Sequence, residues 1–133
     1  MLFAWDITVP ALTLATAPLT QTLKLSYGII TKIDIKFPAG CHGLVNIRLL
    51  HEESPLIPNN KDTWLTGDNE TVAIPEYFEL TTTPYALKFV GMSPGTTYAH
   101  TISVRITILP KTVASLLPLL DIFTRIAQRM GLM

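Results

Sequence analysis

The chain has 133 residues, enough for one domain with a core that needs no metal or disulfide to hold it. Apolar residues make up 48% and charged residues 15%, which excludes a disordered chain. Ten Lys/Arg against ten Asp/Glu leave no net charge and exclude the basic field that nucleic-acid binding needs, while the single cysteine, Cys41, excludes an internal disulfide and a multi-cysteine zinc site.

Residues 1–22 are apolar and threonine-rich, carry one charge, Asp6, and are broken by Pro10 and Pro18. They are expected to form an N-terminal arm, either an interface segment or an edge strand added to the chain's own sheet or to a neighbour's. A short strand is predicted over Leu23–Tyr27. Ile33, Ile35 and Phe37 then alternate with Lys32, Asp34 and Lys36, and Val45, Ile47 and Leu49 alternate with Asn46 and Arg48. Both patterns have the period of a strand with one wet face.

From Glu52 to Glu79 there are seven acids and one base, Lys61. This segment is expected to form an exposed acidic loop region, with short strands at Thr71–Ile74 and Tyr77–Leu80. Another strand is predicted over Tyr85–Val90. From Tyr98 to Ile108 the even positions are mostly apolar and the odd ones mostly polar, which predicts a long antiparallel strand. Turn signals at Pro38-Ala39-Gly40, Pro58-Asn59-Asn60, Gly67-Asp68-Asn69, Pro84 and Ser93-Pro94-Gly95 separate these runs.

Seven or eight strands at this spacing predict an all-β fold, an antiparallel, jelly-roll-like β-sandwich over residues 23–110. No helices lie between the strands, which excludes a parallel α/β architecture. Residues 111–133 belong to the same domain and read as an amphipathic helix. Leu116, Leu119, Leu120, Phe123, Ile126 and Met130 recur at helical spacing, Arg125 and Arg129 lie near its end, and Pro118 opens or kinks it. The stripe suits either the chain's own sheet or an interface between subunits. A place on a membrane surface is a lesser alternative, with only two arginines to support it. No apolar run is long enough to span a bilayer. The start lacks the marks of a signal peptide and reads as mature sequence.

No residue constellation announces a chemistry. His42 and His51 are nine apart, and His51-Glu52-Glu53 has no second histidine nearby, so no transition-metal site is expected. Asp62, Asp68, Asn69 and Glu70 match no EF-hand spacing and read as a solvated acidic loop. Cys41 and His42 are adjacent and point apart in an extended chain, and no nucleophile elbow or phosphate-binding loop is present. The chain is therefore expected to be no enzyme and to use no cofactor. Trp64 and Tyr77 are candidate stacking surfaces for a glycan, or caps on the core. Asn69-Glu70-Thr71 fits the N-glycosylation pattern.

An apolar, nearly uncharged arm, a sandwich rich in Thr and Pro, and a compact C-terminal helix resemble, as an architecture, the small jelly-roll structural proteins of viruses and phages, of the capsid decoration, penton or spike-base type. The wide terminal helix departs from that pattern and leaves the chain's place in a particle open. The resemblance implies a virion protein, assembled in a host cytoplasm, whose partners are copies of itself, as a trimer or pentamer, and a larger capsid lattice. The expected self-association residues are Leu2, Phe3, Trp5, Leu12, Leu14, Leu116, Leu119, Leu120, Phe123, Ile126 and Met130. The alternative function is a carbohydrate-binding module that uses Trp64 and Tyr77.

Overall fold

The computed structural model describes residues 1–110, and the expected helix over 111–133, with Leu116, Leu119, Leu120, Phe123, Ile126 and Met130, lies outside them. Eight strands follow one another: β1 (Leu2–Val9), β2 (Leu19–Lys24), β3 (Gly28–Phe37), β4 (Asn46–His51), β5 (Ser54–Ile57), β6 (Glu70–Leu80), β7 (Ala86–Met92) and β8 (His100–Leu109). They form two four-stranded antiparallel sheets, in the orders β1-β8-β3-β6 and β2-β7-β4-β5. Among the described residues no helix is long and apolar enough to cross a membrane.

The alternation of side chains builds the core. Ile33, Ile35 and Phe37 of β3 and Ile102, Val104 and Ile106 of β8 are fully buried, while Lys32, Lys36 and Arg105 between them are exposed. From the second sheet Leu23, Ile47, Leu49, Leu87 and Phe89 join the same apolar cluster, so the inner faces of the two sheets share one core. Every connection except the β4–β5 turn carries the chain from one sheet to the other.

The strand bounds differ from the sequence expectation where the local signal is weak. Residues 2–9 pair with β8 of their own chain, from Leu2 opposite Thr107 to Val9 opposite His100. The strand expected at Leu23–Tyr27 starts earlier, at Leu19, and stops at Lys24. Only Leu23 of this edge strand is buried, so Thr20, Gln21 and Thr22 hide the alternation. The two strands expected at Thr71–Ile74 and Tyr77–Leu80 are one, β6. Pro75 interrupts the pattern but is tolerated, because β6 lies at a sheet edge.

β5 gave no sequence signal. It is short, contains Pro55, and follows a two-residue turn in which Glu52 and Glu53 both take left-handed backbone angles (φ 48° and 67°). Such a hairpin usually advertises itself with Asn-Gly or Asp-Gly.

The two ends of the sandwich are unequal. Residues 25–27, 52–53 and 81–85 make tight connections at one end. The longer segments 10–18, 38–45, 58–69 and 93–99 gather at the other, where β1 and β3 finish and β6 and β8 begin. These segments are tied in pairs. Ser93 Oγ donates to the Pro10 carbonyl at 2.7 Å and Ser93 N to that of Thr13 at 2.9 Å. Asn69 N donates to the Pro38 carbonyl at 3.2 Å.

Phe89→Ala, which empties a fully buried position on β7, is expected to cost about 3–5 kcal/mol in urea unfolding. Lys36→Ala on the exposed face of β3 is expected to stay within about 0.5 kcal/mol.

Candidate functional site

The residues expected to mediate self-association divide into two places. Leu2 is exposed (64%), and Phe3 and Trp5, half-buried with rings stacked at 6.2 Å, follow it along β1 at the edge of the first sheet. Leu12 (63% exposed) and Leu14 (55% exposed) lie in the 10–18 connection, at the far end of β1, the end that also carries exposed Leu44 and Tyr98. The structure thus makes two apolar surfaces where the sequence reading had one arm.

Trp64 and Tyr77 are not brought together. Trp64 belongs to the 58–69 connection beside the second sheet, where Leu65 exchanges main-chain hydrogen bonds of 2.9 and 3.0 Å with Ile47. The Arg48 guanidinium carbon sits 4.4 Å from the centre of the Trp64 ring, so a cation already covers one face of it. Tyr77 projects from β6 in the first sheet, its hydroxyl 3.4 Å from Glu79 Oε1.

The acids between Glu52 and Glu79 do not form one loop region either. Glu52 and Glu53 make the β4–β5 turn at the short-turn end, Asp62 and Asp68 lie at the opposite end, and Glu70, Glu76 and Glu79 sit along β6. Glu53 pairs with Lys88 of β7 at 3.0 Å. Among the described residues no three His, Cys, Asp or Glu converge as a metal site would require.

A cleft of about 420 Å³ opens at the long-connection end. Segments 38–45 and 93–99 supply its walls: Gly40, His42 and Leu44 on one side, and Gly95, Thr97 and Tyr98 on the other, with His100 at the start of β8. Cys41, His42, Gly43 and Leu44 form a tight turn, closed by a 2.8 Å bond from Leu44 N to the Cys41 carbonyl, with His42 and Gly43 at φ 47° and 70°. The turn buries Cys41 and holds His42 outward. Asp68 braces it, accepting from Gly40 N at 3.0 Å and standing 3.8 Å from His42 Nδ1.

His100 Nδ1 is buried without a hydrogen-bond partner among the described residues. The tautomer that leaves no buried donor unmet carries its hydrogen on Nε2, on the side facing Gly40. His42, with Nδ1 towards Asp68, keeps Nε2 for an outside group. The cleft thus presents two imidazoles, the Thr97 hydroxyl, an aliphatic wall at Leu44 and an aromatic rim at Tyr98 (76% exposed). Sequence reading missed this assembly because its residues come from two segments far apart in the chain.

Comparison with protein-family models gives no match, and no curated protein matches the sequence.

Burial pushes the Cys41 thiol above its ordinary range, and the nearby Asp68 charge adds to the rise. Because the folded state holds this proton more tightly than the unfolded chain, stability is retained below the unfolded thiol's value and is lost as pH rises through the folded one. Cys41 is expected to react with a thiol reagent at pH 8 only as fast as the protein unfolds. Rapid labelling of the folded protein would contradict this burial.

Proposed function

We propose that this is a non-enzymatic structural protein that works by associating with copies of itself, a capsid or decoration component of a virion. The observation that carries the reading is the grouping of exposed apolar side chains. Of the exposed large apolar residues among those described, Met1 and Leu2 lie at the start of β1, Leu12, Leu14, Leu44 and Tyr98 lie at the long-connection end, and Tyr77 stands apart on β6. A small soluble domain leaves surfaces of this kind when another chain covers them.

The strand orders β1-β8-β3-β6 and β2-β7-β4-β5 support a jelly roll, in which two Greek keys fold across each other. In this reading the cluster of Leu12, Leu14 and Leu44 closes a trimer or pentamer, and the stripe Leu116, Leu119, Leu120, Phe123, Ile126 and Met130 seen in the sequence adds a second apolar contact. The virion is the corresponding location. Deleting the first residues is a poor probe, since Ile7 and Val9 of β1 are core residues. Point changes at exposed positions are cleaner.

Light scattering across about a hundredfold in concentration is expected to give a discrete oligomer for the wild type. The combined change Leu2→Glu, Leu12→Glu and Leu14→Glu is expected to lower the mass towards a monomer of 14.7 kDa with little change in unfolding temperature. A wild type that is monomeric at every concentration overturns the reading.

The cleft favours a second reading, a carbohydrate-binding module, at residues other than Trp64 and Tyr77. Titration with neutral monosaccharides at millimolar concentration should move the NMR signals of His42 and Tyr98, and Tyr98→Ala should weaken the response about tenfold. Unmoved spectra across a panel of sugars would end it.

A further inference from the structure

We infer that the open edge of β1 is a strand-pairing surface for β1 of a second copy, the two strands running antiparallel about a twofold axis at Trp5. The inference rests on the self-association reading above and names its contact.

Among the described residues the sandwich has four edge strands, β1 and β6 in one sheet and β2 and β5 in the other. Three of them carry features that stop a further strand from adding. β6 has Pro75 near its middle and pairs irregularly with β3 between Ile30 and Lys32. β5 has four residues, includes Pro55 and also pairs irregularly. β2 is short, follows Pro18 and ends on Lys24. β1 has none of these devices: eight residues, no proline, no lysine and an unbroken register with β8. A long, unbroken edge of this kind, with Asp6 as its one charge, templates pairing with another chain.

The hydrogen-bond phase says which groups are free. Met1 exchanges both of its main-chain bonds with Ile108, so the odd residues of β1 direct their main-chain groups at β8. Leu2, Ala4, Asp6 and Thr8 point theirs at the open edge. A copy of the same strand matches this row, because in a twofold antiparallel pair even residues meet even residues. Centring on Asp6 sets two carboxylates opposite each other, which disfavours that register. Centring on Ala4 leaves Thr8 unpaired. Centring on Trp5 pairs Leu2 with Thr8 and Ala4 with Asp6, uses the whole row in about eight main-chain bonds, and sets the half-buried Trp5 rings against each other.

The product is one continuous eight-stranded sheet across two molecules. A twofold contact does not by itself close a trimer or pentamer, so it occupies a different surface from the Leu12–Leu14 end.

Cysteine cross-linking tests the register. In the inferred pair the two copies of residue 5 face each other about 4.5 Å apart at Cα, within reach of a disulfide. Trp5→Cys should therefore give a linked dimer under mild oxidation, while Thr8→Cys, whose copies lie about 20 Å apart, should not. Native Cys41 is buried and does not compete. If Trp5→Cys fails to fold, an equimolar mixture of Ala4→Cys and Asp6→Cys chains, both at exposed positions, should link to each other in preference to themselves. Ala4→Pro removes one outward donor while leaving the ladder to β8 intact, and should raise the dimer dissociation constant at least about tenfold.

A discrete wild-type oligomer with no linkage at position 5 or between positions 4 and 6 overturns the edge pairing but leaves self-association standing. Equal linkage at positions 5 and 8 also overturns it. A wild type that stays monomeric, including one whose own residues 111–133 cover the edge, overturns both.

Discussion

The shared apolar layer between the two sheets is the constraint on which the rest depends. β3 and β8 press Ile33, Ile35, Ile102 and Val104 against Ile47, Leu49, Leu87 and Phe89. Since all but one connection crosses this layer, no strand can leave it without dragging its neighbours in the opposite sheet. The fixed core positions both surfaces of interest. It holds β1 in register with β8, and it sets the long connections side by side so that His42 and His100 line one cleft. Segment-to-segment bonds such as Ser93 to Pro10 and Asp68 to Gly40 then make that end a single braced surface.

The all-β class and the strongest strands were legible because burial on one face writes a period of two into the sequence. β3 and β8 carry three and four apolar residues in strict alternation, Ile47 and Leu49 of β4 continue the alternation begun by Val45, and each strand lies inside its sheet. The edges were poorly legible for the same reason. An edge strand such as β2 buries one residue, and β6 runs through a proline that a central strand would refuse. β5 was invisible because two glutamates, residue types that seldom take left-handed angles, make its turn. The candidate surfaces were legible as residue types but not as places. Leu2 and Leu12 look like one arm in sequence, yet a whole strand separates them. The cleft depends on Gly40 and His100, which only the fold brings near each other.

Charge also works differently in the folded chain than along the sequence. The acids from Glu52 to Glu79 read along the sequence as one acidic region. In the structure Lys88 meets Glu53 within one molecule at 3.0 Å, and the remaining acids are spread over both ends and one edge. Exposed pairs of this kind contribute at most about 1 kcal/mol. In the proposed assembly, apolar contact and main-chain pairing are therefore the stronger sources of association.

The β1–β8 pairing has a mechanical side. The start of β1 and the end of β8 are neighbours at the short-turn end of adjacent antiparallel strands, Leu2 opposite Thr107. Tension applied between those two points runs along the bonds rather than across the strands, so it opens them one at a time, like a zipper, instead of shearing them together. A shell built from this domain would withstand internal pressure only if the load entered through its flanks, where whole strands resist at once, and not through the start of β1 and the end of β8.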